Sequence, residues 1–207
     1  MSEPAPVPPL PSGWTGAAMA IHAARRMPSA MLVSLQPEGL EPMLIDLRGY
    51  VYRWSLPLDD LPLSPSSVAI GTTALEEAAP AFAGADYSYV RPAFAGRPLE
   101  ELLWLIGTRA FDGGRASWLR AGDRYRLYRW PEFEKLSITA EQQHIVKVSA
   151  RGFMVVEKLA AKAKVEVDAA QRVINALSLM GLLRRHPASN AAPDAPPPPP
   201  PGSFAVE

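Results

Sequence analysis

Where the prolines fall is the tightest constraint on what this chain can fold into. A proline fixes φ and removes a backbone donor, so helix interiors and central strands exclude it. The 207 residues hold 23 prolines, crowded toward the two ends. Pro4, Pro6, Pro8, Pro9 and Pro11 make residues 1–13 an extended, polyproline-like arm. Pro57, Pro62 and Pro65 exclude regular structure from Leu56 to Ser66. The unbroken run Pro196–Pro201 predicts polyproline II within a disordered tail, residues 187–207. Such a run serves as a spacer or docks in an aromatic groove, and Phe204 puts one aromatic near its end. Without these ends the composition is that of an ordinary globular chain, 48% hydrophobic over the whole sequence.

Between the arms, periodicity marks out the elements. Ala17–Arg26 reads as a short helix closed by Pro28. Met31–Leu35, Met43–Leu47 and Tyr50–Trp54 read as three strands separated by Glu38-Gly39 and Arg48-Gly49 turns, with a fourth over Val68–Gly71. Thr73-Ala74-Leu75-Glu76-Glu77 opens like a capped helix. The spacing predicts a helix over Pro98–Ala110, with proline in the first turn and Glu100 and Glu101 at its positive end. Its buried stripe would be Leu99, Leu102, Leu103, Ile106 and Ala110. Tyr125–Trp130 reads as a strand before Pro131. Three helices follow: one from Thr139, one over Met154–Lys164, and one capped by Asp168 and running to Met180. Gly181 stops the last, and Leu182–Arg185 begins a strand. The fold class is therefore α+β: a mixed domain over 14–135 with a small, mostly antiparallel sheet, then a three-helix module over 136–186.

The order helix, helix, tight turn, helix, glycine, strand resembles the bacterial winged helix in a degenerate form. The residues that carry the likeness are Leu159-Ala160-Ala161-Lys162-Ala163-Lys164-Val165-Glu166-Val167-Asp168, then Val173-Ile174-Asn175-Ala176-Leu177 and Met180-Gly181-Leu182-Leu183. They cover about a quarter of the chain and carry a fold signature without functional residues. The resemblance implies a DNA-reading module or one of the adaptor parts such folds form in bacterial regulatory and surface-motility proteins. Residues 14–131 resemble no family.

Chemistry is sparse. With no cysteine the chain forms no disulfide, thiolate nucleophile or zinc knuckle. His22, His144 and His186 are far apart in sequence, and no phosphate-cradling glycine loop or nucleophile elbow occurs. Asp59-Asp60 sits in a proline-rich loop without further oxygen ligands marked out. No catalytic residue, metal ligand or cofactor is expected, and the chain reads as a non-enzyme. No apolar stretch approaches the ~20 residues a membrane-spanning helix requires. Ser2-Glu3-Pro4 is unlike a secretory signal, so a cytoplasmic location is expected. Alanine- and arginine-rich usage with five lysines suggests a GC-rich bacterium.

Charge gives the functional leads. The net charge is zero, yet residues 1–114 hold 7 basic and 12 acidic side chains while residues 115–186 hold 14 and 7. Such a bipolar chain either pairs its halves or offers a basic face to an anionic partner. Two basic groupings stand out. Arg124, Arg126, Tyr128, Arg129 and Trp130 interleave cations with rings, a pattern that grips nucleic acid or else forms a half-buried strand whose tyrosines pack and whose arginines snorkel or pair with the acidic half. In the helical module, Gln171, Arg172, Asn175 and Ser178 are the expected outward set of the third helix, a thin surface for reading bases. Lys162, Lys164, Arg184 and Arg185 would meet phosphates. The expected function is a regulatory or adaptor protein working through contacts with another protein. The alternative is a DNA-binding regulator using these module residues. An enzyme centred on Asp59-Asp60 is a distant third.

Overall fold

The computed structural model of the chain describes residues 13–75 and 92–188. It is mixed α+β. The proline-rich arm through residue 12, the tail from residue 189 and the stretch after Leu75 expected to continue a helix lie outside the described residues. Helix α1 (Gly13–Ala24) starts four residues before its expected position. Four strands follow: β1 (Met31–Pro37), β2 (Met43–Asp46), β3 (Val51–Arg53) and β4 (Val68–Ala74). Helix α2 spans Leu99–Arg109, preceded by the two-residue β5 (Arg97–Pro98). Next come β6 (Arg124–Leu127), α3 (Ala140–Ser149), α4 (Val156–Ala163), α5 (Val167–Met180) and β7 (Leu183–His186).

Two sheets result. The larger has five strands in the order β4-β1-β2-β3-β5, every adjacent pair antiparallel. Thr73 and Ala74, expected to open a helix, instead complete β4 opposite Leu32 and Met31. Pairing with β1 outweighs the local capping pattern there. The turn from β2 to β3 is held by the buried Asp46 carboxylate. Its Oδ1 accepts the Arg48 and Gly49 N–H groups, each at 2.9 Å, and its Oδ2 accepts the Ala93 N–H at 2.6 Å. A Cβ on Gly49 would fall 2.7 Å from that same carboxylate, so only glycine fits.

Val33, Leu35, Met43, Ile45 and Tyr52 bury the inner face of the sheet. All five members of the stripe expected on α2, Leu99, Leu102, Leu103, Ile106 and Ala110, are buried. Each of the leucines and the isoleucine withdrawn from water stabilises the fold by about 1.5–3 kcal/mol. Trp104 and Leu105 are buried as well, so α2 is covered almost all round. The reason is that α2 lies between the sheet side and α5. A Cβ on Gly107 would fall 2.4 Å from Ala176 Cα, so the two backbones meet without intervening side chains. The expected division at residues 135/136 is therefore spanned by one continuous apolar core.

The C-terminal helices come in the expected order. The capping box of α3 forms: Thr139 Oγ1 accepts the Gln142 N–H at 3.2 Å and Gln142 Oε1 accepts the Thr139 N–H at 3.0 Å. Helix α5 differs at its start. Its N-cap is Glu166, without a side-chain cap, and Asp168 lies inside the first turn, its Cβ close to where a Cβ on Gly113 would stand. Gly181 ends α5 in the left-handed conformation at φ 75°.

The polar stripe of α5 faces inward, which corrects the expectation that it is solvated. Asn175 is 0% exposed and Gln171 8%. Asn175 Oδ1 accepts the Ala116 N–H (3.2 Å) and Gln171 Nε2 (2.8 Å), while its Nδ2 donates to Gly114 O (2.8 Å). Ser178 Oγ accepts Trp118 Nε1 at 2.9 Å. These groups hold the loop at residues 114–118, whose backbone has no ladder of its own. His22 of α1 stacks on the Trp118 ring with centroids 4.2 Å apart, and Phe111 meets that ring edge-on.

Two outcomes follow. Asn175→Ala leaves the Ala116 N–H and Gly114 carbonyl without partners and is expected to cost about 2–4 kcal/mol, measured as a fall in the urea midpoint at constant slope. The second concerns His22, whose pKa burial lowers, with Arg26 and Arg25 acting in the same direction. A depressed folded-state pKa means the unfolded chain takes up the proton first. Stability should then be flat above about pH 6.5 and decline as pH falls toward the lower folded value. His22→Gln should flatten that decline in melts between pH 7 and pH 5.

Candidate basic-aromatic face

Strand β6 reaches its place by pairing on both sides. Tyr125 exchanges two backbone hydrogen bonds with Met154, at 2.8 and 3.0 Å, in the link between α3 and α4. On its other edge β6 pairs antiparallel with β7, placing Arg124 opposite His186, Arg126 opposite Arg184 and Leu127 opposite Leu183. The Tyr128 N–H continues the ladder to Leu182 O at 2.8 Å. Alternation along β6 buries Tyr125 and Leu127 and turns Arg124 and Arg126 to solvent. Burial raises the Tyr125 pKa, and its hydroxyl is held by the Arg120 backbone at 3.2–3.3 Å.

The outer face of this two-stranded ribbon therefore carries Arg124, Arg126, Arg184 and His186. Tyr128, 63% exposed, lies beside them with the Arg184 guanidinium 4.2 Å above its ring. The Phe153 ring meets His186 edge-on. Arg126 and Arg184 are a directly opposed like-charge pair, with Cα atoms about 5.5 Å apart in a pair of this type. Among the described residues neither has a carboxylate partner. Lys135–Glu132 and Arg185–Asp123 form ion pairs among the described residues, both within the basic stretch. β6 is the half-buried strand, with Tyr125 and Leu127 inside; of the two alternatives for its arginines, pairing with the acidic first half is not formed among the described residues.

The sequence-derived candidates separate accordingly. Arg124, Arg126 and Tyr128 meet Arg184, a residue expected to act with the third helix. Arg185 points the other way: its Nε lies 3.2 Å from Asp123 Oδ2, while Asp123 Oδ1 accepts the Ala188 N–H at 3.0 Å. The short approach is an ion contact without hydrogen-bond alignment, since Asp123 Oδ2 has no hydrogen-bond donor. Arg129 and Trp130 are exposed just past the strand, the indole edge-on to Phe133. Lys162 and Lys164 sit exposed at the C-terminal end of α4, Lys164 in the left-handed conformation at φ 57°. Arg172 is exposed on α5. Gln171 and Asn175 are withdrawn from any partner by the loop they hold. His186 and Phe153 were missed, because only the β6–β7 register and the Met154 bridge bring them to this face.

Other chemistry is thin on the ground. Among the described residues no group of three or more His, Asp or Glu side chains is placed to hold a metal ion, and no helix is long and apolar enough to cross a membrane. Asp59 and Asp60 are exposed in a single 3-10 turn, residues Leu58–Asp60. A cleft of about 260 Å³ between the start of α1 and the loop after α2 is lined by Thr15, Ser64, Arg109 and Asp112 among others. Arg109 is already committed there, its Nη1 donating to the Leu61 and Pro62 carbonyls. No protein-family model, curated protein or solved structure matches the chain.

The like-charge register has a testable cost. Arg126→Glu places a carboxylate opposite Arg184 and should raise the stability by up to about 0.5 kcal/mol. Salt should erase the gain in parallel urea titrations.

Proposed function

We propose that the chain is a non-catalytic regulatory or adaptor protein whose β6–β7 face docks an anionic segment of another protein. The observation that carries this reading is the Arg126–Arg184 pair, opposed across the ladder and lacking a carboxylate among the described residues. Like charges directly opposite on a ladder are destabilising, and a partner's carboxylates would offset that repulsion. Tyr128 and Phe153 add ring surface beside the charges, the mixture of cation and aromatic that interfaces favour. Carboxylates are planar acceptors, and two neighbouring arginine forks suit them better than lysines would.

The burial of α5 supports the same choice. A helix that reads bases must present side chains along one open face. Here that face is spent on the loop at residues 114–118, leaving Arg172 exposed between Gln171 and Asn175. Nucleic acid is the second reading, and it moves from the helix to the ribbon: exposed Arg124, Arg126 and Arg184 could take phosphates while Tyr128 stacks a base.

The test compares a fluorescent twelve-residue Glu/Asp peptide containing one Trp with labelled random duplex DNA, by anisotropy at low and physiological salt. The Arg126→Ala/Arg184→Ala double variant should weaken peptide binding by roughly tenfold or more, while Lys162→Ala/Lys164→Ala stays within about twofold of the parent. Tighter, steeply salt-dependent binding to DNA, lost in the same double variant, would instead establish the nucleic-acid reading. Absence of binding to either probe at low salt rejects both.

A further inference from the structure

The two edges of the five-stranded sheet are unlike each other. At one edge β5 is two residues long and consists of Arg97 and Pro98, with Arg97 drawn back onto the Trp54 and Leu56 carbonyls. A short strand with a proline is how a sheet edge is made unreceptive. At the other edge β4 runs for seven residues, Val68-Ala69-Ile70-Gly71-Thr72-Thr73-Ala74, with no charge, proline or bulge. Residues Ala69 to Thr73 are all exposed, Ile70 by 40%.

The bonds to β1 show which groups are free. Leu75 donates to Ala30 O at 2.9 Å, and Glu38 donates to Ser67 O at 3.2 Å. Odd-numbered residues of β4 therefore face β1, and the N–H and C=O groups of Val68, Ile70, Thr72 and Ala74 point away from the sheet. Among the described residues no strand pairs with that edge.

We propose that β4 pairs antiparallel with β4 of a second copy of this chain, about a two-fold axis through Gly71, joining the two sheets into one. A two-fold at Gly71 sets Val68 against Ala74 of the partner subunit and Ile70 against Thr72 of the partner subunit, so all four outward residues find partners. A centre at Ile70 or Thr72 would pair only three. The uncharged strand meets itself without like charges in register, which an edge carrying lysine or glutamate could not do. Gly71 at the axis presents no side chain where the strands come closest. The two Ile70 side chains become diagonal neighbours on the face above α1, each covering exposed surface of the other. This surface is separate from the β6–β7 face, so either can fail without the other.

The chain has no cysteine, which gives a direct test on the full-length protein. At the axis the opposed Cα atoms would lie about 4.5 Å apart, within reach of a disulfide. Gly71→Cys should cross-link to a covalent dimer on mild oxidation, at least tenfold faster than Thr73→Cys, which lies off the axis on the same face. Sedimentation of the wild type should show a dimer, and Gly71→Lys a monomer with unchanged melting and circular dichroism. The monomer tolerates that change, because a Cβ at Gly71 meets only Ser34 Cβ, at an ordinary 3.6 Å. A wild type that stays monomeric to ~100 µM, equal cross-linking rates for the two cysteines, or a dimer that survives Gly71→Lys would each overturn the proposal.

Discussion

Everything in this molecule hangs on the approach of α2 to α5 at Gly107 and Ala176. With no room for even a methyl group between them, the two helices pack backbone to backbone, and the apolar side chains on either side interlock around the contact. Close approach fixes where α5 lies against the sheet-bearing half. From that follow the position of the loop at residues 114–118, which α5 holds by its polar stripe, and the path of the chain onward into β6. A larger residue at either position would push α5 away from that loop as well as from α2. The halves are thus joined by apolar packing and backbone recognition. Among the described residues no ion pair joins the two halves.

What the sequence made legible was local. The stripe on α2, the start of α3 at Thr139 and the glycine stop at Gly181 each depend on residues within a turn or two of one another, and each formed as read. Thr73 shows the limit of that reasoning: a good capping residue was overruled by seven residues of pairing with β1. Gln171 and Asn175 show a different limit. Periodicity tells which residues share a helix face, but it cannot tell whether that face meets water or a distant stretch of backbone. A polar stripe that satisfies a buried loop has the same sequence signature as one that reads DNA.

The candidate site was half legible for the same reason. The run from Arg124 to Trp130 advertised its own charge and rings. That Arg184 and His186 would join it depended on strand register between segments nearly sixty residues apart, with three helices intervening. Once β7 lies beside β6, alternation divides two adjacent arginines between two tasks. Arg185 turns inward to Asp123 and secures the end of the ribbon, while Arg184 turns outward over Tyr128. Adjacent residues of one type carry different roles because a strand sends them to opposite faces.

The tie between the first helix and the last has a consequence for how the chain is made. Arg25, just past the end of α1, donates to the Leu179 carbonyl in the final turn of α5, and its guanidinium occupies the space beside Gly181. On a ribosome, α1 and α2 emerge long before the helix that covers them. For the time it takes to translate some seventy further residues, α2 holds an oily flank with nothing to lay it against. The contact between Arg25 and the last turn of α5, like the cover of that flank, forms only after α5 has been made, so the body of the fold closes late in synthesis.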